Sequence, residues 1–192
     1  YKKIDASNRV VEAMNPTSYM KAVKNPVEME NLRKAHLKDG VALTKFLYWM
    51  KKNAGKVALT ETEAAERLED YRKAGEGYLG PSFTTISAFG SNAAMCHYHA
   101  TKEQESPVGT DGFYLVDSGG QYYEGTTDVT RTIAVGPITQ EEKRCCTLVA
   151  CSMLRLLDAK FMYGCRGINL DYIARELLWK NGMDFNHGTG HG

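Results

Sequence analysis

The sequence predicts an α+β fold, in which helices and antiparallel strands occupy separate stretches of the chain. Helical periodicity dominates residues 25–75 and returns over residues 139–182, whereas residues 82–135 carry strand and turn signals. The 192-residue length suits one large domain or two small ones. Because the helices and strands are not interleaved one by one, we favour this class over a doubly wound parallel sheet.

Two capped helices are predicted near the start of the chain. We interpret residues 1–24 as a linker or the tail of an upstream domain, because they are only lightly patterned. Asn25 before Pro26 is a helix start signal, and apolar residues then recur at helical spacing up to Asn53. A second helix is predicted over residues 60–75, where Thr and Glu three residues apart form a capping box.

The middle of the chain is predicted to be extended and interrupted by glycines. The predicted strands cover residues 82–89, 93–99, 113–116 and 127–135. Gly119 and Gly120 separate the last two, so these strands are expected to form a hairpin.

Two further helices are predicted after the strands. A capping box at Thr139 opens a long helix that should reach about Tyr163, and another helix should run from Asn169 to Gly182. The final residues, 186–192, are polar and rich in glycine.

Composition excludes several classes of partner. Lys and Arg total 24 against 23 Asp and Glu, a net charge of +1, which argues against a general nucleic-acid-binding protein. The densest apolar stretch, residues 145–157, is shorter than the about 20 residues that a membrane-spanning helix needs. Five cysteines without a C-x-x-C pair indicate reduced thiols. We therefore expect a cytoplasmic protein without a nucleic-acid or membrane partner.

Two aspartates are candidate metal ligands. Asp117 follows an apolar strand, and Asp128 lies eleven residues further on, in the predicted return strand. If the hairpin forms, both carboxylates can point to one face, where their repulsion calls for a cation. A metal ion or Arg131 could supply that charge, and Asp117 alone equally fits a turn-capping role.

Histidines supply the other candidates. His187 and His191 alternate with glycines that permit close backbone approach, which favours metal binding over an incidental surface loop. Phosphate binding is disfavoured, because the segment lacks the lysine and spacing of a P-loop. His97 and His99 would share one face of a strand, yet by themselves they are better explained as ordinary partly buried residues. Two Asp and one His would suit Mn²⁺, Fe²⁺, Co²⁺ or Zn²⁺ better than Ca²⁺.

Together these motifs resemble the pita-bread metallopeptidases, and in particular their Xaa-Pro aminopeptidase (aminopeptidase P) branch. The similar stretches are residues 114–119 (YLVDSG), 124–132 (EGTTDVTRT) and 187–192 (HGTGHG). The resemblance covers nearly the whole chain. It implies a pita-bread (creatinase/aminopeptidase) fold, in which residues 25–192 form the N-terminal and central part of the catalytic domain and the C-terminal part is missing.

The resemblance also implies residue roles. Asp117 would bind one metal ion, Asp128 would bridge two, and His191 would bind the other. His97 would be the catalytic, substrate-binding histidine, with His187 in a supporting catalytic role. The two divalent ions would be Mn²⁺, with Zn²⁺ or Co²⁺ as alternatives. Two Glu ligands and a second substrate histidine normally follow the last motif, so we expect the fragment alone to be inactive.

The implied function is hydrolysis of an N-terminal Xaa-Pro bond by water activated between two metal ions. The partner would be a peptide with Pro at its second position, and a homodimer is the expected assembly. A prolidase that cleaves Xaa-Pro dipeptides is one alternative. A non-catalytic pita-bread module that binds peptides is another, although the retained ligands weigh against it and against a metal-free, creatinase-like member.

Overall fold

The computed structural model describes residues 12–191, and its order of helices and strands confirms the predicted α+β class. The helices are α1 (Pro16–Ala22), α2 (Pro26–Asn53), α3 (Glu61–Lys73), α4 (Gln140–Leu157) and α5 (Gly167–Trp179). The strands are β1 (Tyr78–Pro81), β2 (Ile86–Phe89), β3 (Phe113–Ser118), β4 (Gly120–Tyr122), β5 (Gly125–Thr126) and β6 (Val129–Ala134).

The region predicted as a linker, residues 1–24, is described only from residue 12 onward. It includes α1, a short helix that the sequence did not predict and that buries none of its residues. Within the described range, no helix is both long enough and apolar enough to cross a membrane.

Local capping explains where the next two helices begin. The Asn25 side chain accepts a hydrogen bond from the Glu28 N–H at 2.9 Å, and the Glu28 carboxylate accepts one from the Asn25 N–H at 2.8 Å. Thr60 and Glu63 repeat this exchange at the start of α3. Each exchange satisfies two amides that the helix itself leaves unpaired, and a cap of this kind is worth about 1 kcal/mol.

The strands form two antiparallel three-stranded sheets, ordered β1-β4-β5 and β2-β3-β6. In the second sheet, β3 is central, and its alternating residues divide between two faces. Tyr114, Val116 and Ser118 are buried, whereas Asp117 belongs to the opposite, partly exposed face.

Helices α2 and α3 cover the buried face of this sheet. Their apolar residues pack with those of the strand in one cluster. The cluster comprises Leu43, Phe46, Met50, Leu59, Ala64, Leu68, Val108, Tyr114 and Val116. This packing leaves the other face of β3, with Asp117, available for chemistry.

Some expectations about secondary structure are wrong. Residues 93–99 do not form a strand: a 3-10 helix over Gly90–Ala94 is followed by turns, and the side chains of Asn92 and Tyr98 attach this segment to the Glu61 carboxylate instead. The α4 helix ends at Leu157 rather than near Tyr163. It is followed by Asp158, whose negative charge is unfavourable at a helix C-terminus.

The last helix starts slightly earlier than predicted. Arg166 is its N-cap, and the Asn169 side chain accepts a hydrogen bond from the Arg166 N–H at 2.9 Å. Asn169 therefore helps to cap α5 from within its first turn rather than from outside.

Candidate metal-binding cleft

Four of the five predicted site residues line one open cleft. The cleft has a volume of about 980 Å³ and includes His97, Asp117, His187 and His191 in its walls. The fifth residue, Asp128, lines a neighbouring cleft of about 820 Å³, which also includes His191. His191 thus lies where the two clefts adjoin.

Asp117 contains a buried oxygen without a partner. Its Oδ1 atom has no hydrogen-bond partner in the described structure, although the strand around it is fully paired with β2 and β6. Leaving a buried carboxylate oxygen unpaired is costly, and a bound cation would satisfy it. The residue type and its surroundings therefore fit a metal ligand.

Asp128 lies directly before β6 rather than within a strand, so the mid-strand position expected from the sequence is wrong. The neighbouring Thr127 is buried and is held by Gly120, with its N–H donating to the Gly120 carbonyl at 2.9 Å. This leaves the Asp128 side chain 44% exposed, with Oδ2 at 3.4 Å from Nε2 of His191.

The register of the sheet relates the two aspartates. Asp117 pairs with Thr130, and Asp128 is two residues before Thr130 along the chain. Asp128 lies one residue before the paired part of β6, so the expectation that both carboxylates turn to one side stays a prediction.

Gly119 makes the approach of these strands possible. A Cβ atom at this position would lie 1.9 Å from the Thr127 carbonyl oxygen and 2.3 Å from Ser82 Oγ. The same two groups are joined by a hydrogen bond of 2.8 Å from Ser82 Oγ to the Thr127 carbonyl. Any larger residue at 119 would push apart the segments that carry the two aspartates.

Arg175 of α5 anchors the segment that carries the last two histidines. Its Nη1 donates to the Phe185 carbonyl at 2.6 Å and to Asp184 at 2.7 Å, and its Nη2 donates to the His187 carbonyl at 2.9 Å. The guanidinium carbon lies 3.9 Å from the centroid of the Phe185 ring, which stacks on His187 with centroids 4.8 Å apart. One side chain therefore fixes both the backbone and the ring that supports His187.

Asp171 completes this anchor. It accepts hydrogen bonds from the Thr189 hydroxyl and from Arg175 Nε, the latter at 2.7 Å. The hydrogen bond from Thr189, followed by the one from Arg175, holds the pKa of Asp171 below its ordinary value. Asp171 is thus an ionised acceptor that fastens the glycine-rich segment two residues before His191.

His97 is exposed and lies in a turn, next to the half-buried Tyr98. The two histidines 97 and 99 do not share a strand face as expected, and His99 is absent from the walls of both clefts. Across residues 12–191, no three His, Cys, Asp or Glu side chains converge closely enough to enclose a metal ion. The assignment of Asp117, Asp128 and His191 as ligands therefore stays a prediction.

Two residues that hold segments bordering this cleft were not predicted from the sequence. Arg175 donates to the His187 carbonyl, 12 residues further along the chain, and the buried Glu61 accepts from Ser106, 45 residues further along. In the sequence both are ordinary charged residues of amphipathic helices, so no local signal distinguishes them.

Residues 30–192 match the model of metallopeptidase family M24, and the chain belongs to this family. It is 43% identical over 191 residues to a probable Xaa-Pro aminopeptidase P of Paracoccidioides brasiliensis, covering 98% of this chain and 31% of that protein. It is 40% identical over 213 residues to aminopeptidase P1 of Arabidopsis thaliana, covering 100% of this chain and 33% of that protein. The chain therefore spans about a third of these relatives.

Solved structures confirm the pita-bread fold. A crystal structure of X-prolyl aminopeptidase from Caenorhabditis elegans, described as a cytosolic enzyme with a di-nuclear active site, has a TM-score of 0.88 and 39% identity, covering 93% of this chain and 29% of that one. An Xaa-Pro dipeptidase from Bacillus anthracis has a TM-score of 0.79 and 27% identity, covering 92% of this chain and 47% of that one.

Proposed function

We propose that the protein containing this chain is a metal-dependent aminopeptidase that hydrolyses the N-terminal Xaa-Pro bond of peptides. The main support is identity of 40–43% over nearly the whole chain to proteins named Xaa-Pro aminopeptidase P or aminopeptidase P1. The unpaired oxygen of Asp117, in a cleft with three histidines, agrees with a site that takes a cation.

The proposed ligands are Asp117 for one ion, Asp128 as the bridge and His191 for the other ion. The 3.4 Å distance between Asp128 Oδ2 and His191 Nε2 suits two groups that bind the same cation. Two divalent ions, Mn²⁺ or alternatively Zn²⁺ or Co²⁺, would supply Lewis-acid polarisation of water and of the scissile carbonyl. Asp117 would lose its desolvation penalty on binding, because its unpaired oxygen gains a partner.

The chain's own residues have two further tasks in this proposal. His97 lies in the wall of the cleft and would donate a hydrogen bond to the reacting peptide group, a contact that counts most in the transition state. His187 would support substrate binding, since Phe185 stacks on its ring and Arg175 holds its backbone carbonyl.

A dipeptidase is the second candidate. It is favoured by the structural likeness to the Bacillus anthracis Xaa-Pro dipeptidase, although that likeness is weaker than the one to the Caenorhabditis elegans X-prolyl aminopeptidase. A cytoplasmic location and a homodimer complete the proposal. The description of the Caenorhabditis elegans enzyme as cytosolic supports the former.

Peptide length separates these candidates. The intact protein, treated with a chelator and then reloaded with Mn²⁺, should release alanine from Ala-Pro-Ala. It should leave Ala-Ala-Ala uncleaved and act poorly on Ala-Pro. Cleavage of Ala-Pro alone would indicate a dipeptidase, and cleavage of none of the three would indicate a non-catalytic module.

A further inference from the structure

A fully buried carboxylate, Glu61 at the start of α3, accepts hydrogen bonds from four residues of a single region. Its Oε1 accepts from the Phe89 N–H at 2.7 Å and from Asn92 Nδ2 at 3.0 Å. Its Oε2 accepts from the Tyr98 hydroxyl at 2.7 Å and from the Ser106 N–H at 2.9 Å. Its exposed fraction is 0%.

These donors bracket the loop of residues 89–106, which carries His97. Beyond Phe89, the last residue of β2, the loop contains no strand, and turns such as the 2.9 Å hydrogen bond from the Tyr98 N–H to the Met95 carbonyl hold it locally. Near its C-terminal end, Glu105 accepts hydrogen bonds from Thr62, and Lys102 pairs with Glu66 at 3.4 Å. Glu61, in contrast, connects both ends of the loop and its middle to α3. Tyr98, the residue next to His97, is one of the four points of attachment.

Glu61 has more than the usual role of an acidic residue in a first helical turn. Such residues normally stand at the surface and favour the helix dipole. Glu61 instead turns inward, and even its backbone faces this region, because its N–H donates to the Ser106 carbonyl at 3.1 Å. Glu63, in the same turn, performs the ordinary capping task.

The donors hold their protons over a wide pH range. Two of them are backbone amides and one is a side-chain amide. Desolvation, followed by the hydrogen bond to Glu61, raises the pKa of Tyr98 to about 12. The attachment of the loop should therefore persist through neutral and mildly alkaline pH.

We propose that Glu61 is a positioning residue, which fixes the 89–106 loop so that His97 stays in the cleft wall beside Asp117 and His191. This inference rests on the proposed function, since it gives Glu61 a role in turnover through His97. A displacement of about 1 Å in a catalytic group can lower a rate by about 10²-fold.

The first test compares two variants of the same helical turn in the intact, Mn²⁺-loaded protein. Glu61→Gln keeps the shape but replaces one acceptor oxygen by a donor, so kcat on Ala-Pro-Ala should fall by about 10²-fold. Metal content should be unchanged. The matched control Glu63→Gln weakens the α3 cap but touches no loop donor, and it should keep the wild-type kcat. An equal fall of kcat in both variants would overturn the proposal.

A double-mutant cycle shows whether Glu61 acts through His97. In the His97→Ala background, Glu61→Gln should cause little further loss of kcat, because the group that it positions is gone. If the factors by which the two single substitutions lower kcat multiplied in the double variant, the proposal would be overturned. Tyr98→Phe, which removes one donor and preserves the ring, should give a smaller loss that is again absent in the His97→Ala background. It serves as the second variant if Glu61→Gln does not fold.

Hydrogen exchange supplies a measurement that does not depend on peptidase activity. Amides of residues 89–106 should exchange faster in Glu61→Gln and in Tyr98→Phe, but not in Glu63→Gln; unchanged exchange in the first two would overturn the proposal. If the wild-type protein cleaves no Xaa-Pro peptide, the proposed function fails. The exchange comparison alone then decides whether Glu61 holds the loop.

Discussion

Removing the carboxylate of Asp39 should destabilise the domain by about 3–5 kcal/mol, because it leaves the buried Arg72 without its counter-ion. Asp39 and Arg72 are each only 1% exposed. Arg72 Nε donates to Asp39 Oδ1 at 2.6 Å, and Nη2 donates to Oδ2 at 3.1 Å. Arg72 Nη1 already lacks a hydrogen-bond partner in the described structure, so the loss of Asp39 would leave the guanidinium with still fewer partners.

The position of this ion pair explains why its removal should destabilise the whole domain. The pair joins α2 to α3, and Arg72 Nη2 also donates to Ser118 Oγ of β3 at 3.0 Å. Tyr122 of β4 donates its hydroxyl to Asp39 Oδ1 at 3.0 Å, and burial raises the pKa of Tyr122, which keeps that donor protonated. Asp39→Ala therefore frees a charge and also leaves a buried hydroxyl unpaired, and the latter costs about 1–3 kcal/mol by itself.

Urea unfolding of the intact protein at fixed Mn²⁺ concentration, followed by tryptophan fluorescence, measures this effect. Glu30→Ala is the matched control, because its pair with Arg33 spans 3.7 Å between side chains that are 57% and 69% exposed; its removal should not shift the midpoint. The double variant Asp39→Leu with Arg72→Met should lose less unfolding free energy than Asp39→Ala alone, because it leaves no unpaired buried charge. A loss of stability below about 1 kcal/mol for Asp39→Ala would show that Arg72 does not depend on Asp39 as its counter-ion.

Four further outcomes are expected. In elemental analysis of the intact protein, the Asp128→Ala variant should contain neither metal ion, whereas the control Asp158→Ala, at the end of α4, should contain both. If Asp128→Ala retained two ions, the bridging role of Asp128 would be contradicted. His97→Ala should lower kcat by about 10²–10³-fold with normal metal content, and loss of metal would make His97 a ligand instead. Gly119→Ala should lower the thermal midpoint, because its Cβ would lie 1.9 Å from the Thr127 carbonyl oxygen. Gly40→Ala in α2, where nothing lies within 4 Å, should instead raise stability by up to about 1 kcal/mol. Equal changes of the thermal midpoint in the two variants would argue against the tight hairpin. The pKa of Asp171 is lowered by Thr189 and then Arg175, so its stabilisation of the 184–189 segment is fully present above the ordinary value of 3.8 and is lost as pH falls through the lower folded pKa; the protection factors of the segment's amides, which correct for the intrinsic rise of exchange with pH, should fall only in strong acid, and a fall between pH 5 and 7 would contradict the prediction.

Local sequence signals are enough to predict the starts of α2, α3 and α4, the pairing of the strands before and after Gly119, and the family. Caps at Asn25, Thr60 and Thr139 depend on residues three apart, so they are visible without any knowledge of the fold. The apolar strand that leads into Asp117 is equally local. The motifs around Asp117, Asp128 and His191 together indicate the pita-bread metallopeptidases, and the match to metallopeptidase family M24 confirms this family.

Contacts between distant parts of the chain explain the features that the sequence does not predict. Residues 93–99 have an extended pattern, but sheet pairing depends on a partner elsewhere in the chain, and the side chains of Asn92 and Tyr98 bond to Glu61 instead. Glu61 and Arg175 resemble surface charges in the sequence, yet Glu61 bonds to Ser106, 45 residues away. Helical periodicity predicts which face of a helix a side chain occupies. Contacts in the folded chain decide whether a distant loop covers that face and buries the charge among hydrogen-bond donors.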